Sequence, residues 1–189
     1  TELYQGFRAG DISLDTYEEL QTKERIPWNE ELRPNEFVVL HDKSHDEPSL
    51  ARYSPETREL KAVFPIPVSV SGIRPLNIQQ EMAFELLLDE SVSLVTLMGK
   101  AGTGKTLLAI AAGLKKVFDD SAYKRLLVSR PVMPLGKDIG YLPGAKEEKL
   151  SHWMQPLFDN MEYILSVHKR PNIKSIESLI SSNQVEIEA

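Results

Sequence analysis

The sequence contains no cysteine among its 189 residues. Disulfide frameworks, zinc ribbons, iron–sulfur sites and thiol nucleophiles are therefore excluded as functions of this chain. Long hydrophobic runs are lacking too: the longest charge-free segment, 62–73, has 12 residues and contains two prolines. A membrane-spanning helix needs about 18 consecutive apolar residues. The chain begins at Thr1 and shows no secretory signal, so we expect a cytoplasmic protein, or an excised piece of one, without a membrane partner.

Negative charge prevails overall but is unevenly distributed. The net charge of −6 arises in residues 1–70, which carry 8 basic and 14 acidic side chains, whereas residues 71–189 carry 14 of each. Within the second part, residues 100–149 hold 10 basic and 5 acidic side chains. An acidic chain is not typical of nucleic-acid binding. The locally positive segment is nevertheless where we expect a phosphate-bearing ligand.

Residues 1–70 are predicted to form a small separate unit. The sequence LDTYEELQT at 14–22 predicts a short helix, for which Asp15 is the capping candidate. Strand patterns rich in β-branched and aromatic residues occur at 36–40 and in a hairpin at 51–64 with its turn at 54–57. We expect a small antiparallel β unit. It would be joined to the second part through 64–67, whose two prolines cannot lie in a central strand.

Residues 71–189 alternate between helical and strand patterns. Helices are predicted at 77–88, 106–118, 146–167 (with Pro156 inside it) and 175–180. Two short apolar segments predict buried parallel strands, and a third, alternating segment predicts a partly exposed one: 94–98, 125–128 and 185–187. Strands and helices in this order predict an α/β fold with a doubly wound parallel sheet.

A phosphate-binding motif lies between the strand pattern at 94–98 and the helix that follows it. The match to the Walker A pattern GxxxxGK[ST] is complete, and its residues are Gly99, Lys100, Ala101, Gly102, Thr103, Gly104, Lys105 and Thr106. Glycines let backbone N–H groups surround phosphate oxygens, and the helix N-terminus adds its dipole. We expect Lys105 to bind the β- and γ-phosphates during catalysis, and the Thr106 hydroxyl to bind Mg²⁺. By chance this pattern would occur in about one chain in a hundred of this length, so the motif predicts nucleotide binding.

A glutamine upstream of the loop suggests which base is bound. In Leu76-Asn77-Ile78-Gln79-Gln80, an asparagine precedes a glutamine by three residues at the start of a helix. This resembles the adenine-reading glutamine motif of superfamily 1 helicases. A side-chain amide donates and accepts together, as the N6 and N7 edge of adenine requires. Gln80 has the matching offset and Gln79 is the alternative; two surface glutamines in a first helical turn remain the ordinary explanation.

Several motifs in a fixed order resemble the PhoH-like ATPases over about residues 72–189. They are GKAGTGKT at 99–106, Ser129-Arg130-Pro131, Gly140-Tyr141-Leu142-Pro143-Gly144 and Pro156-Leu157. The unit before them is similar to the segment that links a PIN ribonuclease domain to the ATPase in two-domain members. The resemblance implies a RecA/helicase-like parallel sheet, dependence on ATP and Mg²⁺, and a cytoplasmic location. It further implies action on single-stranded RNA, helicase-like and in some members coupled to a ribonuclease, and assembly into a homo-oligomeric ring.

Two basic residues are candidates for nucleic-acid contact. Arg130 follows a predicted buried strand, where helicase-like proteins contact nucleic acid or the γ-phosphate, although a structural salt bridge explains it nearly as well. Lys137 lies in the loop 130–144, which has three prolines and three glycines. Long loops without secondary structure often carry function. We therefore expect this loop to contact RNA or a neighbouring subunit.

One element of an ATPase is missing from the chain. An apolar strand ending in acidic residues is needed to hold Mg²⁺, and the nearest candidate, 184–188, alternates instead. The resemblance would place that strand beyond Ala189 and a PIN domain before Thr1. We therefore expect an ATPase in the full-length protein, whereas this excerpt binds nucleotide weakly without turning it over. The alternatives are a P-loop kinase acting on a small molecule, and a non-catalytic module for RNA binding or assembly.

Overall fold

The computed structural model describes residues 4–65, 69–130, 146–170, 173 and 175–188. The chain divides into two compact units, Thr1–Ile66 and Pro67–Ala189. Part of the predicted linker 64–67 lies outside the described residues, and so do residues 131–144 of the predicted loop 130–144, with Lys137 among them. Among the helices that the structure describes, none is long and apolar enough to cross a membrane.

The first unit is a five-stranded sheet with one helix. Its elements in chain order are β1 (Phe7–Asp11), α1 (Leu14–Lys23), β2 (Arg25–Pro27), β3 (Phe37–His41), β4 (Ser49–Ser54) and β5 (Glu59–Val63). The strand order is β1-β3-β4-β5-β2. β1 pairs with β3 in parallel, and all other pairs are antiparallel. The prediction of a purely antiparallel unit is therefore wrong at β1. The chain passes through α1 and β2 before β3, and such a long connection allows parallel pairing.

The core of the first unit lies between α1 and one face of the sheet. Its buried members are Leu20, Ile26, Leu32, Val38, Leu40, Ala51, Tyr53, Leu60 and Ala62. Burial of each larger aliphatic side chain contributes about 1.5–3 kcal/mol to stability. α1 is capped by Ser13, whose hydroxyl accepts a hydrogen bond from the Thr16 amide at 3.2 Å. Asp15, the predicted cap, lies instead in the first turn.

A buried carboxylate belongs to the same unit. Glu36 is only 2% exposed. It accepts hydrogen bonds from Nε of Arg8 at 2.7 Å and from the backbone N–H of Arg33 at 2.9 Å. Burial opposes ionisation, but the Arg8 and Arg33 donors outweigh it and hold the pKa of Glu36 below its usual value. This ion pair therefore ties β1 to the start of β3.

The second unit combines helices with a short parallel sheet. Its elements are α2 (Ile78–Leu88), α3 (Lys105–Leu114) with a π-helical turn (Lys115–Asp119), β6 (Leu126–Ser129), α4 (Lys146–Val167), α5 (Ile176–Ser181) and β7 (Val185–Glu188). The four predicted helices are all present, and their ends differ from the prediction by at most one residue apart from the π-helical end of α3. β6 and β7 form a two-stranded parallel sheet. The chain is therefore a mixed α/β protein with a parallel sheet.

The predicted strand at 94–98 is not formed. Residues 92–100 have no strand assignment, and Leu94 and Met98 are 83% and 74% exposed. The prediction was wrong because a covered parallel strand needs a neighbour that pairs with it. β6 is also not fully buried, since its side chains alternate between half-buried and exposed. In the described part of this unit the sheet pairs only β6 with β7.

A hydrogen-bond network joins the start of the second unit to the ends of two helices. Ser71 donates from Oγ to the Ala111 carbonyl of α3 at 2.9 Å. Arg170 donates from Nη2 to Oγ of Ser71 at 2.9 Å. It also forms a two-pronged pair with Asp119, at 3.0 and 2.9 Å. α3, which bears the phosphate-binding motif at its N-terminus, is thereby anchored at its other end.

Candidate nucleotide-binding site

The phosphate-binding motif forms a loop that leads into α3. Gly104 is the N-cap of α3, and no side chain caps this helix. Three other described helices, α1, α2 and α5, are capped by Ser13, Asn77 and Ser175. Because the first N–H groups of a helix have no partner within it, an uncapped N-terminus offers them to an anion. The start of α3 is thus suited to a phosphate group.

Two glycines give the loop its backbone conformation. Gly102 and Gly104 have φ angles of 78° and 82°, in the left-handed region that L-residues with a side chain rarely adopt. A Cβ atom added at Gly102 would meet nothing within 4 Å. The glycine there is therefore required by the backbone and not by crowding. Successive turns of this kind aim N–H groups into a shared concavity, which binds anions.

The Lys105 side chain lies across its own loop. Its Nζ donates to the carbonyls of Gly99 at 3.0 Å and Lys100 at 2.7 Å. A third bond joins Nζ to Oγ1 of Thr103 at 3.1 Å. The Thr103 hydroxyl donates in turn to the Lys100 carbonyl at 2.9 Å. The ammonium group is therefore held at the loop by three oxygens. The sequence assigned Thr103 only to the motif and gave no signal for this contact.

The residues predicted to read the base lie at the start of α2. Asn77 caps the helix, because its side-chain oxygen accepts a hydrogen bond from the backbone N–H of Gln80 at 3.0 Å. The Gln80 side chain is half-buried, accepts from the Leu76 N–H at 2.7 Å and donates to the Thr103 carbonyl at 3.4 Å. Gln79 is exposed. Gln80, not Gln79, is therefore the glutamine that adjoins the phosphate loop.

A cavity of about 590 Å³ lies beside the loop. Lys105 and Thr106 line it on one side, and Arg130 lines it from the end of β6. The rest of the wall is largely apolar and comes from the segment 94–98, from β6 and from the helices α2, α3 and α4. The backbone N–H of Arg130 donates to the Glu188 carbonyl at 3.1 Å. The structure thus brings Arg130 to the same cavity as the two predicted catalytic residues.

The acidic part of a metal site is not found among these residues. In the described part of the chain, no group of three or more His, Asp or Glu side chains could hold a metal ion. Glu186 of β7 is engaged by Arg125 at 2.5 Å. For Mg²⁺ the described site therefore offers the exposed Thr106 hydroxyl, whereas for a triphosphate it offers the loop, an uncapped helix and Lys105. The donor set fits a nucleotide, and for Mg²⁺ it would supply only part of the coordination.

An α/β unit with a complete Walker A loop at the start of a helix defines the class of P-loop nucleotide-binding proteins. The family model described as PhoH-like protein matches residues 72–189. The chain belongs to this family, and the resemblance predicted from the sequence is confirmed. Membership of this family indicates a P-loop nucleotide-binding protein.

Curated relatives extend the match beyond the family domain. The chain is 45% identical over 190 residues to Protein PhoH2 of Bacillus subtilis strain 168, covering 98% of this chain and 43% of that protein. It is 46% identical over 98 residues to Protein PhoH2 of Mycolicibacterium smegmatis, covering 51% of this chain and 22% of that protein. A PhoH-like protein of Mycobacterium tuberculosis strain H37Rv is 29% identical over 103 residues, or 54% of this chain and 28% of that protein. The chain thus spans less than half the length of these relatives. No solved structure matches it.

Proposed function

We propose that this chain carries the ATP-binding part of a PhoH-type, Mg²⁺-dependent ATPase that acts on single-stranded RNA. The observation that carries the proposal is the Walker A loop, which enters the uncapped end of α3 with Lys105 held across it. A cytoplasmic location, a homo-oligomeric ring and coupling to a ribonuclease are proposed on the resemblance to the family. We propose on the same ground that the parallel sheet of the second unit has the strand arrangement of RecA-like proteins.

Each residue of the site has a role in this proposal. The residues that hold the triphosphate are Gly99, Lys100, Ala101, Gly102, Thr103, Gly104, Lys105 and Thr106. Lys105 compensates the charge of the β- and γ-phosphates, and Thr106 binds Mg²⁺. When bound, Mg²⁺ neutralises phosphate charge during transfer. Gln80, which adjoins the loop, reads adenine through the free hydrogen and lone pair of its amide.

We propose that the cavity beside the phosphate loop is where the acidic strand required for hydrolysis binds. It lies between 94–98, which has no strand partner, and β6, which pairs only with β7 among the described residues. Its apolar wall suits a further parallel strand, and Lys105 and Thr106 lie at its edge. An acidic residue at the end of such a strand would reach the Mg²⁺ held by Thr106. We propose that the full-length protein supplies this strand.

Arg130 supports a link between the nucleotide and the RNA. It lines the same cavity as Lys105 and follows β6 directly. We propose that Arg130, together with Lys137 seven residues further along the chain, contacts RNA. An arginine next to the phosphates can also sense whether a γ-phosphate is present, so RNA contact and ATP hydrolysis would be coupled through it.

The test is ATP hydrolysis with and without single-stranded RNA, measured on the full-length natural protein and on the 189-residue chain. We expect the full-length protein to hydrolyse ATP, RNA to stimulate it, and Lys105→Ala to abolish it. We expect no turnover by the 189-residue chain. Lys105-dependent hydrolysis by this chain alone would contradict the proposed role of an additional acidic strand. Absence of hydrolysis by the full-length protein, with RNA present, would contradict the ATPase itself.

The same assay separates the two alternatives. A small-molecule kinase would turn ATP over only when a metabolite acceptor is added, and RNA would have no effect. A non-catalytic RNA-binding module would bind RNA equally well with and without ATP. It would also keep that binding unchanged in Lys105→Ala.

A further inference from the structure

Both ends of the Gln80 side-chain amide are used inside the protein. Oε1 accepts a short bond from the Leu76 N–H at 2.7 Å, and Nε2 donates to the Thr103 carbonyl at 3.4 Å. The backbone of Gln80 is fixed as well, since its N–H donates to the Asn77 side chain at 3.0 Å. The amide therefore bridges the segment before α2 to a loop 23 residues further along the chain.

The Gln80 side chain bonds to Thr103, and Thr103 in turn contacts the ammonium group of Lys105. Oγ1 of Thr103 accepts from Nζ of Lys105 at 3.1 Å and donates to the Lys100 carbonyl at 2.9 Å. Gly104, the next residue, lies against the same amide, because a Cβ there would be 3.4 Å from Nε2 of Gln80. Movement of the Gln80 side-chain amide would therefore displace the Thr103 peptide and the N-cap residue of α3, Gly104.

We propose that Gln80 is a positioning residue for the phosphate loop, in addition to any role in reading the base. It fixes the Thr103 peptide relative to α2, and Thr103 in turn fixes the Lys105 ammonium group. Phosphate affinity then depends on Gln80 even when the ligand has no base. This inference deepens the proposed function and rests on triphosphate binding at the loop.

The two roles of Gln80 are chemically compatible. A side-chain amide has two N–H hydrogens and two lone pairs on its oxygen. The Thr103 carbonyl takes one of the two hydrogens, and the Leu76 N–H takes one of the two lone pairs. The second hydrogen and the second lone pair stay available for the N6 and N7 edge of adenine. One side chain can thus hold the loop and contact the base, which would couple the two parts of the ligand.

The test uses inorganic tripolyphosphate with Mg²⁺ as a ligand without a base, and ATP beside it, each titrated calorimetrically into the 189-residue chain. Gln80→Ala and the similarly shaped Gln80→Met remove the bridge. We expect both to weaken tripolyphosphate binding roughly three- to tenfold, the loss typical of one hydrogen bond, and ATP at least as much. Glu81→Gln is the matched control and changes neither affinity. Glu81 follows Gln80 on α2, and its side chain forms no hydrogen bond to the loop in the described structure.

The outcomes separate positioning from base reading. If the Gln80 variants lose affinity for ATP but keep tripolyphosphate affinity, Gln80 only reads the base and the inference is overturned. If they lose neither, it is overturned as well. If the unsubstituted chain binds neither ligand, the proposed function itself fails.

A measurement on the ligand-free chain tests the inference independently of affinity. Backbone ¹⁵N order parameters at 103–105, which report motion on the ps–ns timescale, should be lower in Gln80→Met than in the unsubstituted chain and in Glu81→Gln. Equal order parameters in a folded Gln80→Met would contradict the bridge, and the thermal unfolding midpoint of each variant shows whether it is folded.

Discussion

Nζ of Lys105 lies 3.1 Å from Oγ1 of Thr103, two residues before it in the same loop. The ammonium group also donates to two loop carbonyls, so all three of its hydrogens have partners in the structure. A bound phosphate must take over at least one of these hydrogens. We expect the phosphate to replace a carbonyl contact, so that the Thr103 hydroxyl, fixed by its own bond to the Lys100 carbonyl at 2.9 Å, still orients the ammonium group.

Thr103 should therefore influence nucleotide affinity through its hydroxyl. In Thr103→Val the hydroxyl is lost at nearly constant shape, and we expect ATP affinity to fall about three- to tenfold because Lys105 loses an orienting contact. Thr103→Ser keeps the hydroxyl and is the control, with affinity within about twofold of the original. Titration calorimetry with Mg-ATP measures both. Equal affinities for the valine and serine variants would show that the hydroxyl does not position the lysine.

Asp119 should be important for the stability of the second unit. Arg170, with which it pairs, is only 8% exposed, so Asp119→Asn leaves a largely buried guanidinium without its charge partner. We expect a loss of about 1–3 kcal/mol in the free energy of unfolding. Asp120→Asn is the neighbouring control, since Asp120 pairs with Lys115 at a more exposed site, and pairs of that kind contribute about 0–1 kcal/mol. Urea denaturation compares them, and equal losses would contradict a specific role for the Arg170 pair.

Gly72 should tolerate no side chain. Its φ angle is 85°, and an added Cβ would lie 2.8 Å from Cβ of His168 and 2.9 Å from Cγ2 of Val167. Gly72→Ala therefore combines left-handed backbone strain of about 1–2 kcal/mol with overpacking of about 1–3 kcal/mol. Gly6→Ala has a similar φ of 82° with nothing within 4 Å, so only the strain applies. Thermal unfolding should show a clearly larger loss of stability for Gly72→Ala than for Gly6→Ala. Equal losses would contradict the close packing of Gly72 against Val167 and His168.

Glu36 should make the first unit sensitive to acid. Because its pKa is lowered in the folded protein, its contribution is present above the unfolded pKa, near 4.5, and is lost as the pH falls through the folded value. We expect Glu36→Gln to be less stable than the original at pH 7. The difference should shrink below about pH 4.5, near the ordinary carboxyl pKa. Fluorescence of Trp28 in a Trp153→Phe background follows the unfolding of this unit at each pH, and a pH-independent difference would contradict the ion pair.

Features specified by neighbouring residues were predicted from the sequence. The phosphate loop is a contiguous motif, and α2 and α5 begin beside their predicted boundaries because Asn77 and Ser175 cap them locally. The strand at 94–98 was predicted wrongly because a strand depends on partners elsewhere in the chain. β1 was missed since its sequence, FRAGD, has no strand pattern and its pairing with β3 is long-range. The Gln80–Thr103 contact spans 23 residues and leaves no sequence signal.

The central claim is that the phosphate loop, with Lys105, binds a nucleoside triphosphate. The most direct measurement is calorimetric titration of Mg-ATP into the 189-residue chain and into its Lys105→Ala variant, both shown to be folded. We predict weak but saturable binding of one ATP per chain, reduced at least tenfold by the substitution because a charge-assisted contact is lost. No binding by the unsubstituted chain, or equal binding by Lys105→Ala, would contradict the account.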